Sequence, residues 1–463
     1  MNQLTVLFDH LHTTLHYFAW GPATIFLLAV AGIWFTVLTG FFQVRHLKLW
    51  WNATIATAWS GRKQGEGKGI SGFQSACTAL AATLGTGNIA GVATALAAGG
   101  PGAVFWMWIS AFFGAMTGYA ENVLAGLYRG RDKQGQPIGG AMFYIQQGLN
   151  CRWLAVLFSV LCILGSLGMG DMAQANSIAT GLEDAFQIPP LFTGVAVALL
   201  VGFAIQGGIQ RISRMTEAIV PFMAVLYTLA ALWVVAVNWR TIPDVLRLIW
   251  TQAFSWQAGA GGVAGYGVQQ ALRIGVARGV SSNEAGLGSS VMANSASGRH
   301  PVEQGMWGIF EVVVDTLFMC LLTALAILCS GVYDTPRYAL AQRQGLIHTL
   351  PNGAALTADA FRTVFGPLGG GLIALSLLLF AFSTLLGWSY YGERAVEYVF
   401  GSKGVPVYKA LYLICIVIGC VTQLEVIWDW SDIFNGLMAL PNLVAVLWLS
   451  PKVIRTTREY FSK

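Results

Sequence analysis

Charge is what this sequence has least of. Asp, Glu, Lys and Arg make up 10% of its 463 residues, against about 25% in a soluble domain. That is too few to wet the surface of so long a chain, which excludes a soluble globular enzyme. The seven cysteines form no CxxC pair, and all but Cys151 lie inside apolar runs, where they read as small buried hydrophobes. No HExxH pair and no GxSxG elbow is present. His10, His12 and His16 have no neighbouring Cys or carboxylate pattern, so a metal centre is not expected there. The first 17 residues lack Lys and Arg, which argues against a cleavable signal peptide. The net charge of +5 comes without a basic stripe, so nucleic acid is not an expected partner.

What is present suits a bilayer. The chain is 56% hydrophobic, its mean hydropathy is +0.62, and it holds 55 glycines, a residue that lets membrane helices approach closely or break. Eleven apolar segments are long enough to span, given about 20 residues each: 18–43, 72–98, 102–127, 154–182, 189–207, 215–238, 266–297, 303–330, 366–391, 406–426 and 430–450. The expected fold is therefore an all-α polytopic membrane protein. With the N-terminus outside, 19 Lys and Arg fall in inside loops, and five (Arg240, Arg247, Arg337, Arg343 and Arg362) fall outside. Basic loops stay cytoplasmic, so an external N-terminus and a cytoplasmic C-terminus are expected. Residues 46–59 mix bases with tryptophans and read as an interfacial amphipathic helix. Residues 331–365 read as a long extracellular loop.

The chain carries an internal echo. Shifted by about 195 residues, Gly72, Gln74, Ala76, Asn88, Ala90 and Gly91 fall on Gly267, Gln269, Ala271, Asn283, Ala285 and Gly286. Both segments run from an apolar half through a polar interruption to a small-residue half. The interruptions are Gly85-Thr86-Gly87-Asn88-Ile89-Ala90-Gly91 and Val280-Ser281-Ser282-Asn283-Glu284-Ala285-Gly286. Each opens a unit of five segments. A unit of odd length re-enters the membrane from the other side, so the two units are inverted repeats. The reading is one transmembrane domain over 1–463: a leading helix and interfacial segment in 1–71, a first repeat in 72–240 and a second in 266–450.

A helix that stops inside the membrane strands N–H and C=O groups. Its new N-terminus offers positive potential to a carboxylate, and the preceding carbonyls suit a cation. Two such breaks at the midplane can meet both charges of an amino acid zwitterion. Candidate substrate contacts are Gly85, Thr86, Gly87, Asn88, Ser281 and Asn283, with the N–H groups of Gly87 and Asn88 on the carboxylate. Carbonyls from Thr83 to Gly85 are candidates for sodium.

At these residues the chain resembles the alanine/glycine:cation symporter (sodium:alanine symporter) family. The resemblance rests on Gly85 to Gly91, on Gly99-Gly100-Pro101-Gly102-Ala103-Val104-Phe105-Trp106, on Ser282 to Ser289 and on Phe382 to Glu393. It covers nearly the whole chain. It implies a leucine-transporter-like fold and sodium-coupled import of alanine or glycine across a prokaryotic plasma membrane, with Na+ as coupling ion and no organic cofactor. It also implies that Ser383 and Thr384 of segment 366–391 help bind sodium, that Gln174 of segment 154–182 faces substrate, and that Trp388 caps the pocket. The family places an aromatic before Ser282-Asn283 where this chain has Ser281, a departure that bears on pocket size.

Charges inside spans are functional candidates. Asp171, one turn before Gln174, is a candidate for coupling or gating: it either pairs locally near the outer vestibule or joins a second cation or ammonium site. Arg278 and Glu284 are read as a gating or helix-stabilising pair; Glu311 and Asp315 are expected to pack against polar neighbours, with support of proton coupling as the alternative, and Glu121 lies within segment 102–127. Trp106 and Trp108 read as packing or interface anchors. A proton-coupled amino acid permease stays open as an alternative, and a membrane-embedded enzyme or a channel stands further off.

Overall fold

The computed structural model describes residues 3–56, 70–131, 135–254, 266–422 and 424–462. Its elements are helical because apolar chain in hydrocarbon must satisfy its backbone groups internally. The exception among the described residues is a two-residue antiparallel pair, Gly130–Arg131 with Pro137–Ile138.

Two helices lead the chain, α1 (Gln3–Trp20) and α2 (Pro22–Leu38). They part at Gly21, where Pro22 supplies no N–H and begins the next helix. The first broken span is α3 (Gly72–Thr83), a 3₁₀ turn at Thr86–Asn88, and α4 (Ala90–Gly99). Then come α5 (Gly102–Leu127), α6 (Arg152–Leu167), a π-helical turn at Gly168–Met172, and α7 (Ala173–Phe186). The first half closes with α8 (Pro190–Ile205), α9 (Gly208–Val237) and α10 (Ile242–Phe254).

The second broken span is α11 (Tyr266–Asn283) followed by the short α12 (Val291–Ser295). Next are α13 (Pro301–Val312), a π-helical stretch at Val313–Cys320, and α14 (Leu321–Cys329). Residues 331–365, expected as loop, hold two helices, α15 (Thr335–Gln344) and α16 (Gly353–Phe365). The chain ends with α17 (Leu368–Phe400), α18 (Val405–Val421), α19 (Leu424–Trp448) and α20 (Ser450–Phe461).

Seven of the eleven expected segments contain a helix, or a continuous helical run, long and apolar enough to cross a membrane. The other four hold shorter helices: α8, α18 and the two interrupted spans. The interfacial stretch is partly as expected. Leu47–Trp51 is helical and runs into a π turn at Asn52–Ala56, while residues 57–59 lie outside the described residues. Its Trp50 is buried and donates to the Gln43 carbonyl at 3.0 Å, while Leu47, Leu49 and Trp51 face outward.

Burial is inverted relative to a soluble protein. Leu199 and Phe203 of α8 are 71% and 66% exposed, and Phe222, Leu229 and Trp233 of α9 also face out. Asn88, Gln174, Asn283, Asp315 and Thr384 are buried. Hydrocarbon wets the outside, and the polar groups gather where they find one another.

The broken spans cross in opposite directions. Near the start of α3, Ser75 donates to the Ala293 carbonyl of α12 at 2.9 Å. Near the end of α4, the Ala98 carbonyl accepts from Gln270 of α11 at 2.8 Å. Between them Gly87 abuts Ser282. The breaks therefore meet at mid-span, as inverted repeats require.

Candidate substrate and cation site

The first interruption strands backbone groups, and several of them find side chains. Gly85 N–H donates to Asn88 Oδ1 at 3.0 Å, and Thr86 N–H to Gln174 Oε1 at 3.3 Å. The Asn88 carbonyl accepts from Thr323 Oγ1 at 2.7 Å, and the Ile89 carbonyl from Thr357 Oγ1 at 3.0 Å. Asn88 N–H closes the 3₁₀ turn onto the Gly85 carbonyl at 3.3 Å, so it is not left for a substrate carboxylate, contrary to expectation. Thr86 Oγ1 is buried and has no partner. A buried hydroxyl so placed is available to a ligand.

Gly85 allows the tightest contact here. A Cβ on it would lie 2.6 Å from Thr384 Oγ1 and 3.3 Å from Gln174 Oε1. Just before the break, Ser383 and Thr384 of α17 share two carbonyls. Ser383 Oγ donates to Phe380 O at 2.8 Å and reaches Ala81 O at 3.3 Å; Thr384 Oγ1 reaches the same two at 3.1 and 3.0 Å. Two hydroxyls and two carbonyls from two helices make a set of hard oxygen donors, the ligand type that small alkali and alkaline-earth cations take. The carbonyl in contact is that of Ala81. The Thr83 carbonyl, expected among the ligands, accepts the Gly85 N–H at 2.9 Å.

The second interruption begins later than the 195-residue shift implied. Helix α11 runs on through Ser281, Ser282 and Asn283, and the turn starts at Glu284 with φ +58°, followed by Gly286 at +96° and Gly288 at +73°. Those left-handed positions end the helix. Asn283 Oδ1 accepts Ala285 N–H at 3.0 Å. Glu121 of α5 accepts Gly286 N–H at 3.2 Å and bonds Asn442, which donates to the Gly286 carbonyl at 2.9 Å.

Glu284 and Arg278 do not pair. Glu284 takes the Ser289 hydroxyl at 2.5 Å and lies beside the Trp388 indole, because its left-handed backbone turns it off the α11 face. Arg278 instead meets Asp432 of α19 at 3.3 Å, and Ser281, expected at the substrate, bonds the other Asp432 oxygen at 3.3 Å. Trp20 donates to the Asp432 carbonyl at 2.9 Å. Arg278, Ser281, Asp432 and Trp20 thus form a contact between α11, α19 and α1.

Asp315 links the two breaks. Its Oδ1 accepts from Asn88 at 2.7 Å and from Ser282 at 3.2 Å, and its Oδ2 from Thr316 at 2.6 Å. Asn283 reaches the same network through Thr316 at 3.0 Å. Glu311 takes both carboxylate contacts from Asn294, at 3.0 and 3.1 Å. Glu121, Glu311 and Asp315 thus pack on polar neighbours as expected. Trp106 anchors to the Ala253 carbonyl at 3.2 Å.

Gln174 and Trp388 flank the first break. Gln174 Nε2 donates to Met169 O at 3.0 Å, which aims its other end at Thr86. Trp388 lies along α6 and the π turn: a Cβ on Gly170 would sit 2.4 Å from it, and one on Gly165 3.8 Å from its ring. The sequence reading missed α19. Ser431 and Met438 touch Gly168 and Gly165, and Asn435 between them is fully buried with neither amide atom partnered. An Asn in an apolar run at i+4 from Ser431 was the signal available. Of the residues expected at the site, Gly85, Thr86, Asn88, Gln174, Ser383 and Thr384 are thus linked by direct contacts at the first break, Gly87 abuts Ser282, and Asn283 joins through Thr316 and Asp315.

Comparison with known proteins gives the family. A model of the sodium:alanine symporter family matches residues 4–463. An uncharacterised transporter of Haemophilus influenzae is 42% identical over 96% of this chain and 94% of its own. The sodium/alanine symporter AgcS of Methanococcus maripaludis is 40% identical over 98% of this chain and 97% of its own. Among solved structures, MhsT in complex with L-phenylalanine is similar with a TM-score of 0.51 at 15% identity, covering 85% of this chain and 98% of that one, a likeness of fold alone. The chain is a multi-pass membrane transporter of leucine-transporter-like fold, not an enzyme, and it belongs to the sodium:alanine symporter family.

Proposed function

We propose that the protein imports a small neutral amino acid, alanine or glycine, together with sodium, by alternating access. The observation that carries this reading is the oxygen quartet of Ala81, Phe380, Ser383 and Thr384, set against Gly85 at the first break. A cation there draws α17 and the first broken span together. The same turn holds Thr86 and Gln174, so cation binding orders the amino acid site. Trp388 against Gly170 limits the space beside that site, which favours short side chains. The sodium/alanine activity in the name of the Methanococcus maripaludis relative supports the substrate class.

The protein sits in a prokaryotic plasma membrane with its N-terminus outside and its C-terminus in the cytoplasm, a reading supported by the bias of Lys and Arg between loops. In this orientation Arg278–Asp432 and helices α15 and α16 lie on the outer side of the site. Substrate stabilises an occluded state, and a bundle of helices then rocks about the site to open it inside.

Counterflow of labelled alanine into proteoliposomes, under a sodium, potassium or pH gradient, tests the proposal. Saturable uptake driven by sodium is expected. Uptake that ignores sodium and follows an imposed pH gradient would overturn sodium coupling, and no saturable uptake of any small neutral amino acid would overturn the substrate class.

A further inference from the structure

The carboxylate of Asp171 is fully buried, and neither of its oxygens has a hydrogen-bond partner. It differs in this from the other carboxylates of the interior, whose acceptors are filled: Glu121 by Gly286 and Asn442, Glu284 by Ser289, Glu311 by Asn294, and Asp315 by Asn88, Ser282 and Thr316. Nothing in the fold has been built to satisfy it. A bare carboxylate in hydrocarbon costs several kcal/mol, so a group with this surrounding persists for what it takes up.

Its surroundings can be stated element by element. From α18 come Tyr408, Tyr412, Cys415 and Cys420. Tyr412 is committed to the carbonyls of Gly170 and Leu385, at 3.0 and 2.8 Å, and Tyr408 to Ser166 at 3.0 Å. Elements α6, α17 and α19 bring Cys162, Trp388, Ser431 and Asn435 to this region. No charged side chain among the described residues faces the carboxylate. Lys409 of α18 is held by Glu393 and the Ile205 carbonyl, and Arg278 by Asp432.

Asp171 also sits where occupancy can be read. It is part of the π-helical turn Gly168–Met172, and such turns interrupt helices mostly at functional positions. On one side the turn accepts Gln174 Nε2 at the Met169 carbonyl, and Gln174 in turn holds Thr86 of the first break. Gly170 lies against Trp388, and Met172 backbone against Gly419 of α18.

We propose that Asp171 is a second cation-loading site, taking up one monovalent cation with each amino acid, distinct from the Ser383–Thr384 oxygens. The lining offers tyrosine hydroxyls and thiols but few free oxygens, which suits a proton better than sodium. The proposal rests on the symport reading above. Loading removes the charge and lets the π turn reset Gln174 and Trp388 against the substrate.

Reversal potentials of alanine transport, measured with full-length wild type and Asp171→Asn in proteoliposomes, test this. The wild type is expected to move two charges per alanine and the variant one. At −100 mV the variant's limiting accumulation then falls about 50-fold, since one charge across that potential is worth about 2.3 kcal/mol. If the wild-type potential shifts with an imposed pH gradient and the variant's does not, the cation is a proton. A shift that follows the square of the sodium ratio in the wild type and its first power in the variant assigns the site to sodium and overturns the proton. Equal charge per alanine in the two proteins overturns the site altogether. So does a wild type that moves one charge and ignores pH, a result that needs no variant to fold. No sodium-driven uptake by wild type would instead bring down the symport reading itself.

Discussion

Asn88 of the first broken span donates to Asp315 at 2.7 Å, and through that carboxylate the first break is tied to Ser282 of the second. One acidic side chain thus sets the distance between the two interruptions. Asp315→Ala removes the carboxylate acceptor shared by Asn88, Ser282 and Thr316, and leaves Asn88 the main-chain carbonyl of residue 315 at 3.2 Å and Ser282 the Cys320 thiol; a buried donor that loses its acceptor costs about 1–3 kcal/mol. Coupled uptake is expected to fall at least tenfold, read as initial rates of labelled alanine entry. Asn88→Ala should abolish coupled uptake at normal membrane expression, and uptake at near wild-type rate would remove Asn88 from the centre.

The oxygen quartet makes a separable prediction. Thr384→Ala and Ser383→Ala each delete one hydroxyl from the set built on Ala81 and Phe380. A charge-assisted contact is worth about 1.5–3 kcal/mol, so the sodium concentration for half-maximal uptake should rise roughly tenfold or more. Thr323→Ala, which removes the donor to the Asn88 carbonyl instead, should lower the uptake rate with less change in sodium dependence. A sodium dependence for Thr384→Ala like that of wild type would place the cation elsewhere.

Glycine contacts predict a size filter. In Gly170→Ala the new methyl would sit 2.4 Å from Trp388, which must move. Competition of labelled alanine by unlabelled amino acids of increasing size should change its order in this variant. Trp388→Ala is expected to admit larger side chains, and an unchanged order in both would show that the tryptophan does not border the substrate.

Glu121 predicts stability rather than transport. Its carboxylate holds the Gly286 N–H and the Asn442 amide of a turn with three left-handed residues. Glu121→Ala leaves those donors bare and should lower the melting temperature of detergent-solubilised protein by several degrees. Glu121→Gln keeps an acceptor and should recover part of the loss. Equal melting of all three proteins would show that the turn is held by its other contacts.

Asn435 predicts selectivity. Both ends of its amide are buried and unpartnered beside α6. Asn435→Leu should preserve melting temperature while weakening alanine uptake severalfold, measured as the half-saturating alanine concentration at fixed sodium. A drop in stability with unchanged alanine affinity would make it a structural residue.

The sequence made much of this legible, for definable reasons. Spans follow from the length of apolar runs, and Gly85 to Asn88 from a polar interruption that hydrocarbon would not tolerate without a purpose. The crossing of the two broken spans followed from counting segments, and Ser75 on Ala293 bears it out. Less was legible where a residue's role depends on what another helix brings. Asp432 looked like any charge near a span end, and only packing puts Arg278 against it in place of Glu284. The late start of the second turn, at Glu284, was hidden because Val280 to Asn283 is as compatible with helix as with a break. The local bond from Gly85 N–H to the Thr83 carbonyl was hidden as well, because it depends on how the chain turns at the break.

The end of α4 has a further consequence. Its last carbonyls are not left to solvent. Leu96 accepts from Tyr333, Ala97 from Gln342 and Ala98 from Gln270, while Thr357 holds Ile89 at the other end. Tyr333, Gln342 and Thr357 all belong to the segment that carries α15 and α16. That segment is fastened to the buried half-helix at both ends, so it has to travel with it. A fluorophore on the exposed Leu340 would then act as an external pointer to an internal hinge, reporting each turnover from outside the transport path.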